Sequence, residues 1–290
     1  MGNNPRIPYL MSTERPKLNP PEGKPLIVYV SINVEYCPFD QPIPRKLLST
    51  PHGLDPLPDI PNFTWFEYGL RCGMPRILRL LQERGLPATV NLTSEIITGY
   101  PALAAAMRDA GWSFVAHGLI HRQVLAYDDE RAMIDKCLDD IEAFIGVRPR
   151  GWFGPGLAQT FDTPDHLAAA GVDYAMDWVL DDLPCWMDTK HGPLLNIPYT
   201  LELSDVLVYS VEKLDGADVL RRLEATLETF DRELDDQPRV LTVPIHPHNI
   251  GVPHRFPFLM RMLDLLLARD DVLFTTADGI ADWYRAEDSR

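Results

Sequence analysis

Cysteine is scarce: the 290-residue chain has four, Cys37, Cys72, Cys137 and Cys185, widely scattered and without a CxxC pair. That spacing excludes a disulfide framework and fits reduced thiols. Basic residues are also in short supply, with Lys+Arg 27 against Asp+Glu 42 and a net charge of −15. Nucleic acids and anionic membrane surfaces both select basic patches, so neither is an expected partner. No apolar run is long enough to span a bilayer. The stretch from Met1 to Lys24 lacks the apolar segment of a secretory signal, so a cytoplasmic protein is expected. Internal repeats and a domain-scale linker are missing too.

What remains is a chain that is 46% hydrophobic, enough for one sizeable core. Residues 1–25 read as an irregular arm, because Pro5, Pro8, Pro16, Pro20, Pro21 and Pro25 forbid regular pairing. Such an arm either wraps a neighbouring subunit or is a disordered tail. Residues 26–290 read as a single domain. Leu26 to Ile32 is a continuous apolar, β-branched run, the mark of a strand buried on both faces. Pro38 to Asn62, with seven prolines, is a long loop of the lid-like kind.

Beyond it the chain alternates. Helical patterns at Met74–Glu83, Pro101–Asp109, Asp128–Ile145, Thr163–Ala170, Gly216–Leu234, Phe258–Ala268 and Ala277–Tyr284 separate strand-like runs. Those runs are Pro87–Leu92, Ser113–Ala116, Arg150–Phe153, Val172–Met176, Arg239–Ile245 and Val272–Thr275, with two short strand-like pieces within 194–210. Such alternation predicts an α/β fold with right-handed crossovers, a distorted (β/α) barrel of about seven mostly parallel strands. A doubly wound open sheet is the second choice.

The polar residues fall in one pattern. Asn33 and Glu35 follow the first strand, His117 and His121 the third, and Trp152 ends the fourth. Asp177, Asp181 and Asp182 follow the fifth, while His246 and His248 follow the strand ending at Ile245. Carboxyl ends of parallel strands converge on one face, so these groups share a rim. His117 and His121, one helical turn apart with Gly118 between them, suit a single metal ion. Glu35 is open to three roles: third ligand, general base or solvated strand end. His246 is the candidate general acid. Asp182 either orients a catalytic histidine or caps a turn. Trp65, Glu67, Arg71 and Trp152 are candidates for binding a planar polar substrate. Glu67 and Arg71 could equally be an i, i+4 ion pair, and Trp65 a packing residue.

These residues resemble the polysaccharide deacetylase superfamily, and within it the allantoinase-like and cyclic-imide-hydrolase-like branch. The resemblance runs from Asn33 to about Trp283. It is carried by Asn33-Val34-Glu35, Glu67-Tyr68-Gly69 with Arg71 and Gly73, and His117-Gly118-Leu119-Ile120-His121. Arg150-Gly151-Trp152, Asp177-Trp178, Asp181-Asp182-Leu183-Pro184, Ile197-Pro198-Tyr199-Thr200 and Val243-Pro244-Ile245-His246-Pro247 complete it. The resemblance implies a distorted (β/α) barrel in a homo-oligomer, a dimer or tetramer. Two departures stand out: sugar deacetylases carry an Asp base where this chain has Asn33, and an Arg bracing it where this chain has Phe153. An amide cannot abstract a proton from water. The metal-independent allantoinases, for their part, lack the second His that His121 supplies here.

The expectation is therefore a metal-dependent hydrolase that cleaves a C–N bond of a cyclic amide or imide. One divalent ion, zinc first with Mn, Co, Ni or Fe as alternatives, would sit on Glu35, His117 and His121. A backbone N–H near Tyr36 would help hold the oxyanion, and His246 would protonate the leaving nitrogen. If Glu35 is the base, Asp177 or Asp182 becomes the third ligand. A deacetylase of acyclic amides and a non-catalytic metal-binding or ligand-binding protein are the two alternatives.

Overall fold

Nine strands form one curled sheet in the computed structural model, which describes residues 3–49 and 54–288. They are β1 (Leu26–Val34), β2 (Thr89–Leu92), β3 (Ser113–Ala116), β4 (Gly151–Trp152), β5 (Tyr174–Ala175), β6 (Cys185–Met187), β7 (Leu194–Asn196), β8 (Arg239–Ile245) and β9 (Val272–Thr275). The spatial order is β6-β7-β5-β4-β3-β2-β1-β8, with β9 also paired to β1. Every pairing is parallel except β6 with β7. The expected distorted barrel is present, with two more strands than the sequence suggested.

The central strand β1 is buried along all nine residues, and β8 along all seven. Runs such as Leu-Ile-Val-Tyr-Val have no polar face to show to water, so both sides must be covered. Helices cover the outer side; Ile77 and Leu81 of Met74–Glu83, for instance, are fully buried. Each such side chain contributes roughly 1.5–3 kcal/mol on removal from water.

Ladder hydrogen bonds do not join β8 to β7, so the barrel is a half-barrel whose gap is bridged by side chains. Thr242 and Thr200 exchange hydrogen bonds, each backbone N–H donating to the other's Oγ1 at 3.0 and 3.2 Å. The Tyr29 hydroxyl donates to the Pro198 carbonyl at 2.7 Å. Pro198 has no N–H to extend a ladder. Pro244 is tolerated in β8 because that strand ends the sheet's main order.

Several boundaries differ from the sequence reading. Only one of the two strand-like pieces in 194–210 is a strand. Its continuation forms a 3₁₀ turn at Leu201–Leu203 and a π-helical segment at Val206–Val211. The Pro-rich loop ends at Asp59, whose side chain accepts from the Asn62 N–H and starts the helix Ile60–Tyr68. A π-helical stretch, Gly69–Gly73, then carries the chain into Met74–Glu83. Residues 50–53 of that loop, and the ends 1–2 and 289–290, lie outside the described residues.

The arm lies along its own chain: Arg6 pairs with Asp165 and Arg15 with Asp181, both at 2.9 Å, and Leu18 N–H donates to Gln237 Oε1. Among the described residues no helix is long and apolar enough to cross a membrane.

Candidate active site

Four strand ends deliver the site. Glu35 follows β1, His117 and His121 follow β3, Phe153 follows β4 and His246 follows β8. Glu35 Oε1 is the common point: 3.3 Å from His121 Nε2, 3.6 Å from His117 Nε2 and 3.9 Å from His246 Nε2.

Each ring is held by its other side or its neighbours. His117 Nδ1 hydrogen-bonds to the Phe153 carbonyl, which leaves Nε2 as the lone-pair nitrogen facing Glu35. The His121 backbone N–H donates to the Tyr36 carbonyl at 2.8 Å, fixing the loop after β3, while its ring Nδ1 is buried without a partner. Gly118, at φ +77°, makes the turn that brings His121 back toward His117. His246 Nδ1 lies 2.7 Å from Asp205 Oδ1, and Asp205 Oδ2 accepts from the backbone N–H groups of His246 and Ile250.

Burial shapes the charges. It would push the Glu35 carboxyl up, but His121, His117 and His246 hold it well below the usual range. Burial lowers His121 to about 4 and His248 to about 3, against the opposing pull of Glu35. His246 goes the other way: burial lowers it, yet Asp205 and Glu35 together raise it. Of these rings His246 is therefore the one disposed to carry a proton.

Among the described residues, no group of three or more His, Cys, Asp or Glu side chains is placed to hold a metal ion as it stands. The donor chemistry nevertheless fits a cation. His117 Nε2 and Glu35 Oε2 are buried without a hydrogen-bond partner. In a tetrahedral site with bonds of about 2.0–2.2 Å, neighbouring donors lie roughly 3.3–3.6 Å apart. The Glu35 Oε1 distances to His121 and His117 fall in that range. Glu35, His117 and His121 would hold a divalent ion if small side-chain shifts brought all three donors onto it.

Other predicted residues are placed elsewhere. Asp182 sits at the opposite end of β8, where its carbonyl accepts from Val240 N–H; the partner of His246 is Asp205. Trp152 is fully buried in the core under the site and cannot reach a substrate. Trp65 braces the site from outside, its Nε1–H donating to the His248 carbonyl at 2.8 Å. Glu67 and Arg71 form an i, i+4 ion pair at 3.0 Å, with the Arg71 side chain 70% exposed. The Tyr36 N–H donates to Thr93 Oγ1 and is not free for an oxyanion. Asp177 lies behind the site, accepting from Gly154 N–H and from Gln159.

The site opens into a cavity of about 190 Å³. Asn33 and Tyr199 supply polar groups to its wall. Phe66, Leu157, Leu207 and Val211 make much of the rest apolar. Asn33 is tied into the sheet, its Oδ1 accepting from Asn91 and its Nδ2 lying 3.3 Å from the Tyr199 hydroxyl.

The polysaccharide deacetylase family model matches residues 61–175. A Schizosaccharomyces pombe protein provisionally named a polysaccharide deacetylase is 26% identical over 269 residues, covering 82% of each chain. Over these stretches the chain is similar to polysaccharide deacetylases. Among solved structures, a probable polysaccharide deacetylase from Pseudomonas aeruginosa PAO1 superposes with a TM-score of 0.80 at 25% identity, covering 94% of this chain and 95% of that one. The PuuE allantoinase superposes with a TM-score of 0.79 at 24% identity over 98% and 95% of the two chains, a likeness of fold.

Asp205 and His248 escaped the sequence reading as site residues of the first importance. A lone acid directly before the apolar run Val206–Val211 was the available signal for Asp205, since an unpaired buried carboxylate needs a partner.

Proposed function

We propose that this protein hydrolyses a ring C–N bond in a small cyclic amide or imide, using a divalent cation held by Glu35, His117 and His121. Proteins of the family are generally metal-dependent. When bound there, such an ion acidifies water and polarises a carbonyl. The reaction adds water across the ring amide: the carbonyl carbon gains an oxygen, the C–N bond breaks, and the nitrogen leaves as N–H.

The chain's own groups divide the remaining work. His246, held by Asp205, delivers the proton from Nε2 to the leaving nitrogen and recovers one from the attacking water. The Tyr199 hydroxyl, on the cavity wall and accepting from the Asn33 amide, has its own O–H to offer to a second ring carbonyl. The apolar wall keeps bulk water away from the reacting bond.

The cavity supports a ring over a sugar chain. Pockets for drug-sized ligands run about 300–1,000 Å³. A cavity of about 190 Å³ matches a single small ring at the reacting position. Asn33 agrees with this, since an amide bound into the sheet cannot serve as the base of a sugar deacetylase. The test is a panel assay on metal-replete protein, with succinimide, hydantoin, dihydrouracil and allantoin beside an N-acetylated chitooligosaccharide. Turnover of a ring and none of the oligosaccharide is expected; release of acetate with no ring turnover overturns the reading.

A further inference from the structure

A second cavity, of about 450 Å³, adjoins the first, and His121, Arg45 and Gly156 line both. Its wall also carries Arg122 and contains no Asp or Glu. That is unexpected in a chain of net charge −15. Many other arginines sit against carboxylates, as Arg148 does against Asp139 and Glu142 at 2.7 and 2.8 Å, while Arg76 is taken up by the Tyr68 hydroxyl and the Gly251 carbonyl. Among the described residues neither Arg45 nor Arg122 has an ion-pair partner; Arg122 only rests over the Tyr127 ring at 5.9 Å. Both are exposed at the surface of this antechamber. Arg45 sits on the Pro-rich loop and Arg122 directly follows the candidate ligand His121, so two unrelated segments bring cations to one entrance.

We infer that the ring substrate carries a carboxylate, which Arg45 and Arg122 bind in the outer cavity while the ring enters the inner one. The inference rests on the ring-hydrolase reading and adds the substrate class. The guanidinium fork matches a planar carboxylate with two parallel hydrogen bonds, and two such groups free of competing acids form a site selective for an anion. The same pair counters the repulsion that an acidic protein exerts on an anionic ligand and raises its encounter rate. Arg45 lines both cavities, so a ligand anchored on it extends directly toward Glu35 and His246.

The test compares hydantoin and succinimide with their carboxymethyl derivatives on metal-replete protein. A preference of tenfold or more in kcat/KM for the carboxylated member of either pair is expected. Arg45→Met and Arg122→Met should each cut that preference at least fivefold, chiefly through KM. Calorimetric binding of carboxymethylhydantoin to each variant should weaken in parallel, and raising the salt from 50 to 300 mM should weaken wild-type binding. Equal kcat/KM within both pairs, or a preference that survives the double variant, overturns the inference and leaves the ring-hydrolase reading standing. If no ring is hydrolysed, that reading falls separately and calorimetry still decides: arginine-dependent binding supports the carboxylate site, and arginine-independent or undetectable binding overturns it.

Discussion

Asp205 holds His246 at two points: Oδ1 lies 2.7 Å from the ring Nδ1, and Oδ2 accepts the backbone N–H of the same residue at 2.8 Å. One carboxylate thereby sets both the position of the strand end and the orientation of the ring. Asp205→Asn can keep the two backbone bonds through its one oxygen but must turn an N–H toward Nδ1, so His246 loses its anionic partner. Turnover is expected to fall about 10²-fold, the lower range for losing a general acid, with metal content unchanged. Metal loss equal to the loss of rate would assign Asp205 to the cation site instead. Asp205→Ala should additionally destabilise the fold, because two buried N–H groups are then unpaired at about 1–3 kcal/mol each.

His121→Ala tests the cation site directly. Its ring nitrogen is one of three donors around Glu35, and its side chain is 15% exposed, so truncation leaves the core intact. Bound metal, measured by elemental analysis after dialysis, should drop to under about a tenth of the wild-type level, with unchanged circular dichroism. Wild-type metal content in this variant would remove His121 from the ligand set.

Much of this was legible because strand ends are. An apolar β-branched run that stops at a His or Glu places that side chain on the carboxyl rim whatever its neighbours are, so Glu35, His117, His121 and His246 could be gathered from spacing alone. Direction and partner are harder. Asp182 follows β5 in sequence, yet the chain turns back along the barrel to the amino end of β8. Trp152 ends a strand as expected but points into the core, since period-two alternation sends neighbours to opposite faces and two residues are too few to read it. The second strand-like piece within 194–210 reads so from its Leu and Val content. Its helical turns come instead from packing on β8 and from Asp205, contacts about forty residues distant in sequence. Arg15 with Asp181, 166 positions apart, carries no local signal at all.

Gly73 shows how a distant helix sets the His246 loop. A Cβ there would stand 2.2 Å from the Pro247 carbonyl oxygen, and one at Gly69 would stand 2.4 Å from His248 N. Both glycines lie in the π-helical stretch, so bare backbone on the helix lets backbone of the loop approach it. Gly73→Ala must push Pro247 away and carry His246 off Asp205. The expected result is a loss of about 1–3 kcal/mol in urea unfolding and a drop in turnover larger than the destabilisation accounts for. Normal turnover in a folded Gly73→Ala protein would show that the loop is not held this way.

Asp177 provides a pH test, run on metal-free protein because His117 is among the groups acting on it. It is 6% exposed and accepts from Gly154 N–H and from Gln159, but burial prevails and lifts its carboxyl to about 6. In the unfolded chain the same group titrates near about 3.9. Between those values the native state keeps a proton that the unfolded state has released. Stability from this group is therefore fully present below about pH 4, declines as pH rises, and is lost above about pH 6. The full difference is on the order of 3 kcal/mol. In Asp177→Asn this slope disappears, although overall stability drops because the new amide faces Gln159 Nε2, and Gln159 Oε1 is already committed to Trp178. Urea unfolding at pH 4.5 and 6.5 in both proteins isolates the effect, since other titrating groups are shared. Wild type should lose more stability than the variant on going to the higher pH. Equal losses would mean that Asp177 is ionised in the native state across this range.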